Sequence, residues 1–386
     1  MTVFLKLLRM AFLTLSNIIL NPIFWIAIFL VYIQYRRINK MRIQILGKNN
    51  QSARTMTMRS TIAGIIGGIA GTIVMRFIGI TIHIKDFYYV LPLAIVLMLI
   101  NIRYICFSYS GGLLCLFSLA FGFLHLDVSG MMAIVAVLHL IESILIYFDG
   151  YKDALPIFLK DKKYGVIGGF YLQRFWPIPF IVPFPMQMAT VVAALGYGDI
   201  SLGNVPKDKC KVSAKRLLLY STILLLLSIL STKIYIFKWI AAIFSPVGHE
   251  YLIIYGQKEE KRKTPLFRRH SRGVTVLDVN KDGVGERMGI KRGDVIVRMN
   301  SYWINHQEEL EAILKENPQY IWMQVIDKGG KINTFTYKDY QRGINSLDIV
   351  IVPIDIQFVF DIQNTSCILK KITNGIKNKF SKKKNM

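Results

Sequence analysis

The feature that most limits what this chain can fold into is a series of long uncharged apolar runs set between basic clusters. Residues 11–35 contain no Asp, Glu, Lys or Arg, and about 20 apolar residues suffice for a helix to cross a bilayer. Arg36, Arg37, Lys40, Arg42, Lys48, Arg54 and Arg59 follow with no acid among them. A basic stretch beside a span places that side in the cytoplasm by the positive-inside rule. Composition points the same way. The chain is 53% hydrophobic and 19% charged, with a mean hydropathy of +0.40, whereas soluble domains carry about 25% charged residues.

Further spans are expected over residues 61–82, 87–102, 104–126, 129–148, 217–232 and 234–255, making about seven. Arg76 interrupts the second, and Arg103 hinges the third against the fourth. Gly64, Gly67, Gly68 and Gly71 give two overlapping G-x-x-x-G spacings, which let another helix approach closely or reflect simple tolerance of glycine. Residues 175–198 are uncharged but carry Pro177, Pro179, Pro183 and Pro185. Four missing backbone donors argue against a regular spanning helix. The basic residues Lys207, Lys209, Lys211, Lys215 and Arg216 after it mark another inner loop, so this segment is expected to be re-entrant or interfacial. Lys258, Lys261, Arg262 and Lys263 put the remainder of the chain in the cytoplasm as well.

A net charge of +24 is read as inner-leaflet loops and contact with anionic lipid. No nucleic-acid-binding motif accompanies it. Cys106, Cys115, Cys210 and Cys367 have neither C-x-x-C spacing nor histidines at zinc-finger distances, and Cys106 and Cys115 are expected to be core residues. The first apolar run lacks a small-x-small cleavage site, so no signal peptide is expected.

Ionisable residues inside a membrane are functional candidates. His139 and Glu142 share a helix face at i and i+3, and Arg76 is a possible partner across helices. His249-Glu250 begins like H-E-x-x-H, but the second histidine is absent, so that metalloprotease motif is incomplete. Membrane proteases of the site-2 class join intramembrane zinc to a PDZ domain, but the absent second histidine weighs against that enzyme reading here. Ser110-Gly111 lacks the G-x-S-x-G frame. No catalytic constellation, metal site or cofactor is expected. The alternatives are an intramembrane protease or protease regulator using His139, Glu142 and His249, and a transporter or sensor with a polar path through Arg76, His139 and Glu142.

Residues 266–355 read as a small α+β module. Residues 274–279 form a β-branched strand, and Gly289-Ile-x-x-Gly293-Asp294 supplies tight-turn glycines before another apolar run. Asn305 with Glu308 suggests a capping box for a helix over 307–316, whose apolar face is Leu310, Ile313 and Leu314. Residues 320–325 and 331–337 alternate as strands around Lys328-Gly329-Gly330, and 347–352 make a last strand ended by Pro353.

These motifs resemble a PDZ domain of the circularly permuted bacterial type, a peptide-binding module. The resemblance implies that a peptide adds as a strand beside the helix, against Leu310, Ile313, Leu314, Leu347, Asp348, Ile349 and Ile351. It assigns scaffold roles to Gly289, Gly293 and Asp294. The family's carboxylate loop is matched by Ser346-Leu347-Asp348-Ile349, with Asp348 in place of glycine, and an acid there repels a terminal carboxylate. Membrane spans followed by one such domain also resemble the MinJ-type cell-division proteins of Gram-positive bacteria, as do Phe244-Ser-Pro-Val-Gly-His-Glu250 and Leu347-Asp-Ile-Val-Ile-Val-Pro353.

What that resemblance implies is a non-enzymatic adaptor at the cell membrane, enriched at septum or poles. It would bridge a curvature-sensing polar scaffold protein to the MinC and MinD inhibitors, or recruit other divisome proteins. The expected organisation is a polytopic α-helical membrane domain at 1–257, a juxtamembrane linker at 258–265, the PDZ-like module at 266–355 and a basic tail at 356–386. In the tail, Ile368, Leu369, Ile372, Ile376 and Phe380 recur at helical spacing among seven lysines. It reads either as an amphipathic segment for anionic lipid or as a solvated tail.

Overall fold

Helix α2 (Ala53–Ile78) is the post against which the membrane part is assembled. The computed structural model describes residues 20–46, 51–79, 84–122, 124–184 and 187–355. The Lys-rich tail, Cys367 and the first half of the first apolar run lie outside them. Before α2 comes α1 (Pro22–Leu46), and after it α3 (Ile84–Ile100), a 3-10 turn (Ile102–Ile105), α4 (Phe107–Phe121) and α5 (Val128–Asp149). A sheet follows, made of β1 (Leu155–Asp161), β2 (Gly165–Phe184) and β3 (Gln187–Ser201), and then α6 (Pro206–Ser231) and α7 (Ile236–Arg262).

Three of the described helices, α2, α5 and α6, are long and apolar enough to cross a membrane. α3 and α4 are apolar but shorter, at 17 and 15 residues. Ile23, Trp25, Ile26, Phe29 and Leu30 of α1 and Leu219 and Leu226 of α6 are each more than half exposed. Large apolar side chains exposed in such numbers suit a lipid environment. α5 is buried along almost its whole length and forms the centre of the bundle.

The proline-rich segment is a β-hairpin. β2 pairs antiparallel with β3 from Phe170↔Ser201 to Phe184↔Gln187. Its other edge lies along α2, and the two strides match. Four helical residues rise about 6.0 Å, and two strand residues rise about 6.6 Å. Gly64, Gly68 and Thr72 therefore meet Pro177, Pro179 and Ile181 in step, and one turn earlier Ser60 reaches Phe175 through Tyr35 of α1. Ser60 Oγ and Tyr35 Oη are 2.6 Å apart, and the Phe175 N–H donates to Tyr35 Oη at 3.2 Å. A Cβ on Gly64 would stand 2.1 Å from the Pro177 carbonyl oxygen, and one on Gly68 would stand 1.8 Å from that of Pro179. The Ile181 N–H donates to Thr72 Oγ1 at 2.9 Å.

Alternate residues of a strand turn their N–H groups to opposite edges. The edge of β2 that faces α2 thus has donors at 175 and 181, both bonded, and prolines at 177, 179 and 183, which carry none. This closes a strand edge laid along a helix apolar and long enough to cross a membrane, where an unsatisfied N–H would be costly. Of the glycines read as admitting a helix or as simply tolerated, Gly64 and Gly68 admit this strand, while Gly67 and Gly71 lie against Ile141 of helix α5.

Arg174, fully buried on β2, ties the hairpin to the end of α5. Its guanidinium donates to Asp149 at 3.0 Å and to Asp153 at 2.9 Å. The Trp176 indole N–H adds a bond to the same Asp149 carboxylate at 2.9 Å, and the Arg174 cation stacks over the Tyr35 ring.

Beyond α7 the chain forms the C-terminal module: β4 (Phe267–Arg268), β5 (Val274–Val279), α8 (Val284–Met288), β6 (Val295–Met299), β7 (Tyr302–Trp303), α9 (Gln307–Lys315), β8 (Tyr320–Ile326), β9 (Ile332–Lys338) and β10 (Ile349–Ile351). The sheet order is β10-β5-β6-β8-β9, with β7 on β6. Val276, Ile296, Met299, Leu310, Leu314, Ile321, Met323 and Leu347 share its core.

Residues 258–262, expected to be linker, continue α7 as helix. Glu260 is buried and accepts from the Leu202 and Gly203 N–H groups, both at 2.8 Å, and pairs with Lys209 at 3.4 Å. Arg216 and Lys263 bind Glu259, and their hydrogen bonds pull its carboxyl down to about 2. β4 then pairs with β2 at Ile167↔Arg268. Phe267, Leu277 and Val352 join the same core as Phe170 and α5. The module is docked on the hairpin.

Candidate functional site

Two places in the molecule can carry function, one in the module and one among the helices. In the module, α9 (Gln307–Lys315) is capped by His306, not by Asn305. Glu309 reaches back to accept the N–H groups of Asn305 and His306 at 2.7 and 3.1 Å, so the box lies one residue later than its Asn305–Glu308 spacing suggests. These backbone bonds, that of Asn305 foremost, hold the Glu309 carboxyl below its usual range.

Of the residues assigned to a peptide groove, Leu310, Leu314, Leu347 and Ile351 are buried in the module core, and Ile313 and Ile349 are half-buried against it. Asp348 sits at φ +54, in the left-handed region that favours glycine and that Asp tolerates. Its N–H donates to Ser346 Oγ at 3.0 Å, and its carbonyl accepts from the Asn280 N–H at 2.9 Å. The position keeps the backbone of a glycine while adding a carboxylate.

Gly289 and Gly293 are also left-handed, at φ 92 and 89. Gly293 N–H donates to the Val276 carbonyl at 2.7 Å, and Asp294 accepts from the Lys291 N–H at 2.8 Å. Burial raises the Asp294 carboxyl. All three serve the β5–β6 turn. Among the described strands β10 pairs only with β5. Asp348 and Val352 bond to the β5 side, so Ile349 turns its N–H to the outer edge. A cavity of about 320 Å³ lies beyond the C-terminal end of β10, lined by Thr275, Val352 and Pro353 and by Asn305 and Gln307 at the start of α9.

Among the helices, the structure brings together His139 and His249, which stand 110 residues apart. Their rings lie 5.0 Å apart, with Cys106 between them at 3.2 Å from His139 Nε2 and 3.8 Å from His249 Nε2. The Tyr109 hydroxyl donates to Glu250 at 2.6 Å, and Arg103 pairs with Glu250 at 2.9 Å. Glu142 is on α5 one turn from His139. Arg76 is exposed near the end of α2 and makes no contact with this group among the described residues. Ser110 is buried with no hydrogen-bond partner for its hydroxyl.

The sequence reading missed Cys106 and Tyr109. The only local signal was the break at Arg103, which places Cys106 at the start of α4. His249 enters only the protease alternative, because the second histidine of its motif is missing. The second imidazole comes from α5, which no local spacing shows.

No family model matches the chain. It is similar to the cell division topological determinant MinJ of Bacillus subtilis (strain 168), 20% identical over 201 residues, 52% of this chain and 50% of that protein. The chain therefore matches about half the length of this curated relative, and the MinJ-type resemblance is shared by a protein of that name.

Proposed function

We propose that this chain is a non-enzymatic membrane adaptor in cell-division site placement, and that its C-terminal module is a PDZ-type domain that recruits proteins. The similarity to MinJ over half the chain is the observation that carries this reading. The apolar helices α2, α5 and α6 supply the anchor. The docking of the module on the hairpin supports a fixed orientation relative to the helices, and the basic residues Lys258, Lys261, Arg262 and Lys263 favour the cytoplasmic side. A partner segment adds as a strand on the outer edge of β10, beside α9, where main-chain bonds provide affinity and side-chain pockets provide selectivity. Asp348 at the head of that edge disfavours a free C-terminal carboxylate, so an internal segment is the better ligand. The partners are a polar scaffold protein on one side and the MinC/MinD inhibitor on the other, with the Lys-rich tail on anionic lipid.

A two-hybrid assay in bacteria, with the full chain as bait, tests the recruitment step. The full chain engages the division inhibitor or the polar scaffold. Ile349→Pro removes one outward N–H from β10 and lowers the signal about tenfold, the equivalent of about 1.4 kcal/mol. A full chain silent against both partners contradicts the proposal.

A further inference from the structure

We propose that Cys106, His139 and His249 form a metal site, built for Zn2+ or a divalent ion of its class, that clamps α4, α5 and α7 together. The three ligand atoms, one sulfur and two imidazole nitrogens, all lie within 4.8 Å of one another. Bond lengths of about 2.3 Å to sulfur and 2.0–2.1 Å to nitrogen put tetrahedral ligand pairs about 3.3–3.6 Å apart. The two sulfur–nitrogen separations, 3.2 and 3.8 Å, bracket that value.

The hydrogen bonds around the rings set both tautomers for ligation. His139 Nδ1 faces the Val135 carbonyl at 2.6 Å. A carbonyl only accepts, so Nδ1 carries the hydrogen and Nε2 presents a lone pair. Tyr109 gives its hydrogen to Glu250, so its oxygen accepts from His249 Nδ1 at 3.2 Å, and His249 Nε2 presents a lone pair as well. A backbone carbonyl behind one ring and a hydroxyl–carboxylate pair behind the other is the outer-shell arrangement that orients metal-bound histidines.

The lone-pair count then favours a cation. Two bare nitrogens face one thiol, and a single S–H serves only one of them. In an apolar helix core the other lone pair is an unsatisfied polar group, which is costly. A divalent ion accepts from both nitrogens and from the sulfur, and the Cys106 proton leaves to solvent when the thiolate–metal bond forms. The mixed donor set, one thiolate and two imidazoles, suits zinc. A fourth position remains for water or for the Glu142 carboxylate one turn along α5. Because α7 itself carries Glu259 and Glu260, the clamp also fixes the helix on which the module is mounted.

The test uses the full chain, purified in detergent through a tag that binds no metal, with zinc content measured by mass spectrometry and Co2+ as the optical probe. The expected result is about one zinc per chain. Co2+ should give tetrahedral ligand-field bands with thiolate-to-cobalt charge transfer. Cys106→Ser, which keeps the side-chain shape, abolishes the charge-transfer band. Tyr109→Phe removes only the group behind His249 and weakens binding about 10–100-fold. Cys115→Ala, in the same helix but outside the cluster, leaves the spectrum unchanged. Zinc at background in the wild-type chain, or a charge-transfer band that survives Cys106→Ser, overturns the proposal.

Discussion

Thr72 and Arg174 show how single polar side chains make a strand compatible with a helical membrane core. Thr72 Oγ1 accepts the Ile181 N–H while donating to the Gly68 carbonyl within its own helix at 2.9 Å. Thr72→Val keeps the shape and removes the acceptor. It should cost about 1–3 kcal/mol, the penalty for a buried unpaired donor, read as a lower unfolding temperature in detergent, and Thr72→Ser should recover most of it. Arg174→Met leaves Asp149 and Asp153 with a reduced set of donors. Breaking a buried pair from one side costs about 3–5 kcal/mol, and the same thermal assay should show it. Glu309 gives a pH signature. Its folded carboxyl sits below the unfolded value, so its contribution to α9 is present above the ordinary glutamate range and is lost as the pH falls through the lowered value. Glu309→Gln should flatten the acid side of the stability profile of the full chain, measured by near-UV circular dichroism. None of this was legible in the sequence for Arg174, since nothing local marks a buried arginine whose partners lie 21 and 25 residues upstream.

At the scale of elements, the hairpin and the glycine stripe explain each other. The sequence excluded a helix at residues 175–198 from the number of prolines. Their spacing held more information, because Pro177, Pro179 and Pro183 fall on one edge of a strand. The glycines at 64 and 68 were equally visible, but a four-residue helical repeat does not say whether its partner is a helix or a strand. Gly68→Leu should disrupt the contact, since its side chain would start 1.8 Å from a backbone oxygen. Gly79→Ala, at the end of the same helix with open space around it, should cost far less, limited to the strain of its left-handed φ of 70. The comparison is made on detergent-solubilised protein by thermal unfolding. The module's strands were legible because alternation is a local signal. The burial of Leu310 and Leu314 was not separable from groove lining, because core and groove share one face of α9.

For the whole molecule, the expected picture was a module on a linker below about seven spans. The structure shows three described helices of spanning length and apolarity, a hairpin among them, and a module continuous with their core through Phe267, Leu277 and Val352. A helix whose polar end binds the hairpin's return at Leu202 and Gly203 ties the module to the helices. The cysteine–histidine cluster belongs to the same scale. It forms only when α4, α5 and α7 are packed, which is why three residues without motif spacing gave no warning of it. The measurement that bears most directly on the adaptor reading is the position of the full chain, fused to a fluorescent protein, in dividing cells, beside a version lacking residues 266–355. The account predicts enrichment at septa or poles for the full chain and an even membrane signal for the truncated one. An even membrane signal from the full chain would contradict it.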